Sequence, residues 1–124
     1  MSDMRHRLGQ HGEEYAARRL PALGYAIIAR NWRCLSGEID LVAEHDGVRV
    51  FVEVRTRRSD RLGTPEESIT PAKRAKLIAA AQTYPDEHGE TDRDWRIDLV
   101  AIEIGARNEV KRCEVIENAI EETG

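Results

Sequence analysis

A chain of 124 residues, 40 % hydrophobic and 34 % charged, has the size and makeup of one globular core. No apolar run approaches the ~20 residues that span a bilayer, and the polar start from Met1 to Leu8 lacks a secretory apolar stretch, so a cytoplasmic protein is expected. The net charge of −4 argues against a nucleic-acid partner only as a sum: residues 1–33 carry six Arg/Lys against three Asp/Glu, residues 55–76 seven against three, and the acid excess sits elsewhere.

Residues 5–20 read as a helix, because Leu8, Gly12, Ala16 and Leu20 recur every four positions. Pro21 ends or kinks it, and Gly24 follows as a stop. Tyr25 to Trp32 is rich in β-formers and reads as a first strand. A turn at Ser36-Gly37 leads to two more, Glu38 to Glu44 and Val48 to Thr56. Arg57 to Ile69 is a basic loop. Thr70-Pro71 starts a second helix, with Thr as N-cap and Pro in the first turn, and Pro85 is expected to stop it after Tyr84. A polar loop, Asp86 to Asp94, precedes the most apolar strand, Trp95 to Ile104, and Val110 to Ile116 forms one more. The order α-β-β-β-α-β-β predicts an α/β domain over residues 1–117, a mixed central sheet flanked by helices, with a frayed tail at 118–124. Cys34 and Cys113 stand far apart outside any Cys-x-x-Cys pair, and read as free thiols.

Asp46-Gly47 is a strong hairpin signal, since both central positions of a type I′ turn need positive φ. A two-residue loop pairs His45 with Val48, then Glu44 with Arg49, Val42 with Phe51, Asp40 with Glu53 and Glu38 with Arg55 on one face. The other face carries Ile39, Leu41, Ala43, Val50, Val52 and Val54, all apolar, and must pack against a helix. Directly opposed like charges are destabilising. Asp40 facing Glu53 beside Val42 and Phe51 therefore calls for a shared proton or a cation, and a hard divalent ion, Mg²⁺ or Mn²⁺, suits two carboxylates. A bulge in the hairpin would instead shift the register and send one acid to solvent. Arg55, two residues beyond Glu53, can offset the negative field, grip a phosphate, or pair with Glu38 opposite. On the first helix, Glu13 lies at the edge of the buried stripe and Glu14 points to solvent. The four histidines show no metal-ligand spacing, and Trp32 and Trp95 read as core or rim residues.

Gly12-Glu13, Arg30-Asn31-Trp32-Arg33, Gly37-Glu38-Ile39-Asp40-Leu41, Phe51-Val52-Glu53-Val54-Arg55-Thr56-Arg57, Gly63-Thr64-Pro65-Glu66-Glu67 and Arg96-Ile97-Asp98-Leu99-Val100-Ala101-Ile102 together resemble the YraN-like family of bacterial proteins. The resemblance implies a restriction-endonuclease-like fold, similar to archaeal Holliday-junction resolvases, with an Asp…Glu-x-Lys motif falling on Asp40, Glu53 and position 55. Its helix-borne acid would be Glu13. It implies metal held by Asp40, Glu53 and the Val54 carbonyl, and cleavage of structured or single-stranded DNA, with DNA favoured over RNA. Resolvase-like enzymes often dimerise, so a homodimer is the oligomer the resemblance allows. Position 55 departs from the motif: it is Arg, which stays charged where Lys can release a proton, so general-base work would pass elsewhere, with Lys73 or Lys76 as a migrated lysine. Arg57, Arg58, Arg61, Lys73 and Lys76 are the expected phosphate-backbone contacts. The rival reading is a non-catalytic nucleic-acid-binding or assembly module on the same fold.

Overall fold

The computed structural model describes residues 2–60 and 62–121, with side chains from His6 onward. Helix α1 spans Ser2–Arg19, and Pro21 turns the chain into a 3-10 turn, Leu20–Leu23, closed by Gly24 in the left-handed region. Strands β1 (Ala26–Cys34), β2 (Gly37–His45) and β3 (Val48–Arg58) follow. Part of the expected basic loop forms a second 3-10 turn, Glu66–Ser68. Helix α2 (Pro71–His88), β4 (Trp95–Ile104) and β5 (Val110–Ile116) complete the order. The strands lie β1-β2-β3-β4-β5 in one mixed sheet. Only β3 and β4 are parallel, and parallel neighbours need a long crossover, which α2 supplies. Among the described residues no helix is long and apolar enough to cross a membrane.

Each helix covers one face. Ala16 of α1 and Leu20 of the 3-10 turn that follows pack with Leu41, Ala43, Val50, Val52 and Val54. Leu77, Ala80, Ala81 and Tyr84 of α2 pack with Val42, Phe51 and Ile97. Gly12 is buried where α1 crosses β3, and a Cβ there would collide with Thr56 Oγ1. The interior strand β4 is buried along most of its length, as a parallel strand covered on both faces should be. Its one fully buried carboxylate, Asp98, accepts from the Tyr25 hydroxyl (2.7 Å), from Arg96 (2.9 Å) and from the Asn118 amide (2.9 Å). Arg96 also reaches His45 Nδ1 at 2.7 Å, and His45 stacks on Tyr25, so one end of the sheet is tied by a closed polar network.

Three expectations need correction. Pro85 does not stop α2, which continues to His88 before Gly89 caps it with positive φ. A proline removes one main-chain bond, but here only a last turn follows, the ring is buried, and the Pro85 carbonyl accepts from Glu90 at 2.9 Å. The segment after β5 is tied down: Ala119 donates to the Ile97 carbonyl at 2.9 Å, and Ile120 is 2 % exposed in the α2 core. Residues 122–124 lie outside the described residues. Ile39 leaves the α1 face and packs on the α2 side. Between the pairs Arg30↔Leu41 and Trp32↔Ile39 stand Asn31 and Asp40, and Asn31 has φ of 52°. That left-handed residue breaks the two-residue alternation, so β2 changes face at Asp40.

Candidate active site

The hairpin register is the expected one as far as it goes: His45↔Val48, Glu44↔Arg49, Ala43↔Val50, Val42↔Phe51 and Leu41↔Val52. The ladder ends there, one pair before the acids. Asp40 and Glu53 are thus not cross-strand partners, and neither are Glu38 and Arg55. Instead the Asp40 carboxylate enters the gap between the parting strands and accepts the Val54 amide at 2.8 Å, the donor that a continued ladder would have given to a main-chain carbonyl. No register shift throws an acid into solvent. Glu53 is 2 % exposed, and Asp40 is half-buried.

The two carboxylates remain close enough to act on one another. Burial pushes the Asp40 carboxyl well above the usual carboxylate range, the negative charge of Glu53 adds to this, and the Val54 amide works the other way. Burial also raises the Glu13 carboxyl, helped by Asp40 and Glu38 and opposed by its bond from Asn31. Asn31 Nδ2 donates to Glu13 at 2.9 Å and to Glu38 at 3.0 Å, bridging α1 to the start of β2. Glu14 is exposed and pairs with Arg30 at 3.1 Å. Glu13 on α1 thus feels the charge of Asp40 and Glu38, while Glu14 turns to solvent.

Two cations meet Glu53 on its Oε2: Arg55 at 3.6 Å and Lys73, from the first turn of α2, at 3.7 Å. Arg55 does not pair with Glu38, which is taken by Asn31 and by Arg33 at 3.7 Å. Its guanidinium is fixed by Ser68, donating to the hydroxyl at 3.0 Å and the carbonyl at 3.4 Å. Lys73 is set by the Thr70 cap, whose hydroxyl accepts the Lys73 amide at 3.1 Å. Lys76 is exposed beside Gly37 and Arg57 and Arg58 lie further along β3, while Arg61 lies outside the described residues. Asn31 and Ser68 were not singled out from sequence. An asparagine tolerates positive φ, which is the signal Asn31 carried; Ser68 carried none.

A divalent ion has a chemical opening here. Glu53 Oε1 is buried and meets no hydrogen-bond donor among the described residues, and a buried acceptor left so costs about 1–3 kcal/mol. The Val54 carbonyl points to the same edge of β3 as its amide, toward Asp40. Among the described residues no group of three or more His, Cys, Asp or Glu is placed to hold a metal, so Glu13 stands outside such a set. Two acids and one carbonyl suit Mg²⁺ or Mn²⁺, which commonly keep several waters.

The model of the uncharacterised protein family UPF0102 matches residues 12–102, a span that holds every residue of this cluster. A UPF0102 protein of Roseiflexus castenholzii is 51 % identical over 123 residues, covering 98 % of this chain and 99 % of its own. One from Symbiobacterium thermophilum is 48 % identical over 116 residues, covering 94 % and 98 %. One from Dehalococcoides mccartyi is 40 % identical over 122 residues, covering 98 % and 99 %. With this match and the five-stranded mixed sheet between two helices, the chain belongs to the UPF0102, or YraN-like, family of the restriction-endonuclease-like nuclease superfamily.

Proposed function

We propose that this protein is a divalent-metal-dependent nuclease that hydrolyses phosphodiester bonds in structured or single-stranded DNA. The observation that carries the reading is the orphaned Glu53 Oε1 beside the high-lying Asp40 carboxyl, an arrangement that is unfavourable alone and relieved by a cation. Asp40, Glu53 and the Val54 carbonyl would hold Mg²⁺ or Mn²⁺. When bound, the ion supplies Lewis acidity toward the phosphate and makes water a better nucleophile.

The chain's own residues do the rest. Glu53 is held by two cations on one oxygen, which leaves the other for the metal. Arg55, locked by Ser68, presents a fixed planar fork that steadies charge on the phosphate. Lys73 stands on the other side of Glu53 and brings the transferable proton that Arg55 lacks, which supports it as the migrated lysine. Glu13 adds negative field from α1 and orders Asn31.

The test is cleavage of junction, flap, single- and double-stranded substrates with Mg²⁺ or Mn²⁺, run beside calorimetry with Mn²⁺. Glu53→Gln should abolish both metal binding and cleavage. Lys73→Met should lower cleavage by about 10²–10⁴-fold, the usual contribution of a proton-transfer group, while Mn²⁺ still binds. Arg55→Lys should keep cleavage. Metal binding without cleavage of any substrate would leave a binding module; unchanged metal binding in Glu53→Gln would remove the site.

A further inference from the structure

Strand β3 runs on to Arg58 after β2 has left it at Leu41↔Val52. Alternate residues of a strand turn their N–H and C=O to opposite edges. Val54 faces the departed β2, since its amide meets Asp40, so Thr56 and Arg58 turn their main chain the same way. A cavity of about 510 Å³ follows this open edge, with Leu8 and Gly9 of α1 on one side and Ser68 on the other. The sheet therefore carries a groove walled on both faces, whose inner end is Val54, the residue whose amide meets Asp40.

Two cations of this groove have carbonyls, not carboxylates, as partners. Arg57 donates to the Leu62 carbonyl at 3.3 Å and Arg58 to the Gly105 carbonyl at 3.1 Å, and neither forms an ion pair among the described residues. Arg49, Arg93, Arg96 and Arg112, by contrast, all end on carboxylates. A carbonyl orients a guanidinium without neutralising it. Two oriented, unneutralised cations thus border an open strand edge about 13 Å long from Glu53 to Arg57.

We infer that this groove seats the sugar-phosphate backbone of one nucleic-acid strand, Arg57 and Arg58 holding a phosphate next to the one that lies at Asp40 and Glu53. The inference rests on the nuclease reading and names its substrate: a single strand at the point of cleavage. The walls set the strandedness, because α1 and Ser68 flank the edge on both faces and leave room for one chain. Charge sets the chemistry. An extended peptide can add to an open strand edge, but an uncharged main chain does not answer two bare guanidinium groups, and phosphates do.

The experiment is fluorescence anisotropy of a short labelled oligothymidine and of the same oligomer annealed to its complement, in EDTA so that nothing is cut. Arg57→Ala with Arg58→Ala should lower single-strand affinity by about tenfold and flatten its log–log salt slope by about 0.7 for each phosphate no longer neutralised. Gly9→Trp is the uncharged obstruction: nothing lies within 4 Å of where a Cβ would stand, and every arginine stays; an unchanged melting temperature confirms that the variant folds. It should lower single-strand affinity several-fold with an unchanged salt slope and leave duplex binding as it was. Duplex bound as tightly as single strand, Gly9→Trp binding like wild type, or an uncharged extended peptide displacing the oligomer would each overturn the groove. Single-strand binding that behaves as described while no substrate is cut with Mn²⁺ would count against the catalytic reading alone.

Discussion

At the scale of the residue, Asp40 carries the clearest pH consequence. Its carboxyl titrates higher in the folded chain than in the unfolded one, where ~3.9 is usual, because burial and then Glu53 oppose its charge. The folded state thus holds the proton more tightly, and metal-free protein loses stability as pH rises from about 3.9 through the raised folded value. Asp40→Asn removes the loss and keeps a side-chain oxygen for the Val54 amide. Its melting temperature should exceed wild type at neutral pH without metal, by about 4 °C if the relief is ~1 kcal/mol, and should match it below pH ~3.9. Saturating Mn²⁺ should reverse the order, since only wild type gains from binding. A variant no more stable than wild type at neutral pH in EDTA would contradict this. The acid pair was legible in sequence because Asp46-Gly47 counts residues back to both positions. Sequence offered Lys73 and Lys76 alike as a migrated lysine and did not place Ser68, because their approach depends on how α2 and the turn before it dock, which strand counting does not reach.

At the scale of the element, the seat of α1 on β3 depends on one missing side chain. Gly12→Ala brings a Cβ into Thr56 Oγ1, and overpacking of this kind costs ~1–3 kcal/mol against a helix-propensity gain of up to ~1 kcal/mol. A net loss of about 1–2 kcal/mol is expected by urea unfolding. Gly12→Ala combined with Thr56→Ala should recover most of it, a coupling that a double-mutant cycle isolates. Because Glu13 follows Gly12, lifting α1 also draws that acid away from Asp40. Sequence periodicity located both helices and all five strands, since hydrophobic spacing follows from which face is buried. It misplaced the end of α2, where packing of Tyr84 and Pro85 outweighed a lost main-chain bond, and the face of Ile39, where one left-handed Asn31 reset the alternation. Such single-residue choices are decided by neighbours distant in sequence.

At the scale of the whole molecule, the chain after β5 closes the α2 core instead of trailing away. Ile120→Ala should cost about 2 kcal/mol, the low end for a buried Ile because a terminal segment can relax around the void. Asn118 and Ala119 bind main chain and carboxylate of β4, so the substitution should also loosen Trp95 and appear in its fluorescence. A melting temperature equal to wild type would return the segment to the status of a tail. The sheet itself is fastened at one end, where Tyr25, Asp98, Arg96 and His45 close on one another, and divided at the other, where β2 leaves β3. Deuterium should read that asymmetry along a single strand. The amides of Val50 and Val52 lie inside a complete ladder and should exchange only in global opening, whereas those of Thr56 and Arg58 should exchange orders of magnitude sooner through local openings. Val54 should fall between them, timed by Asp40 alone, and a bound oligonucleotide should slow the outer amides while leaving the inner clock untouched.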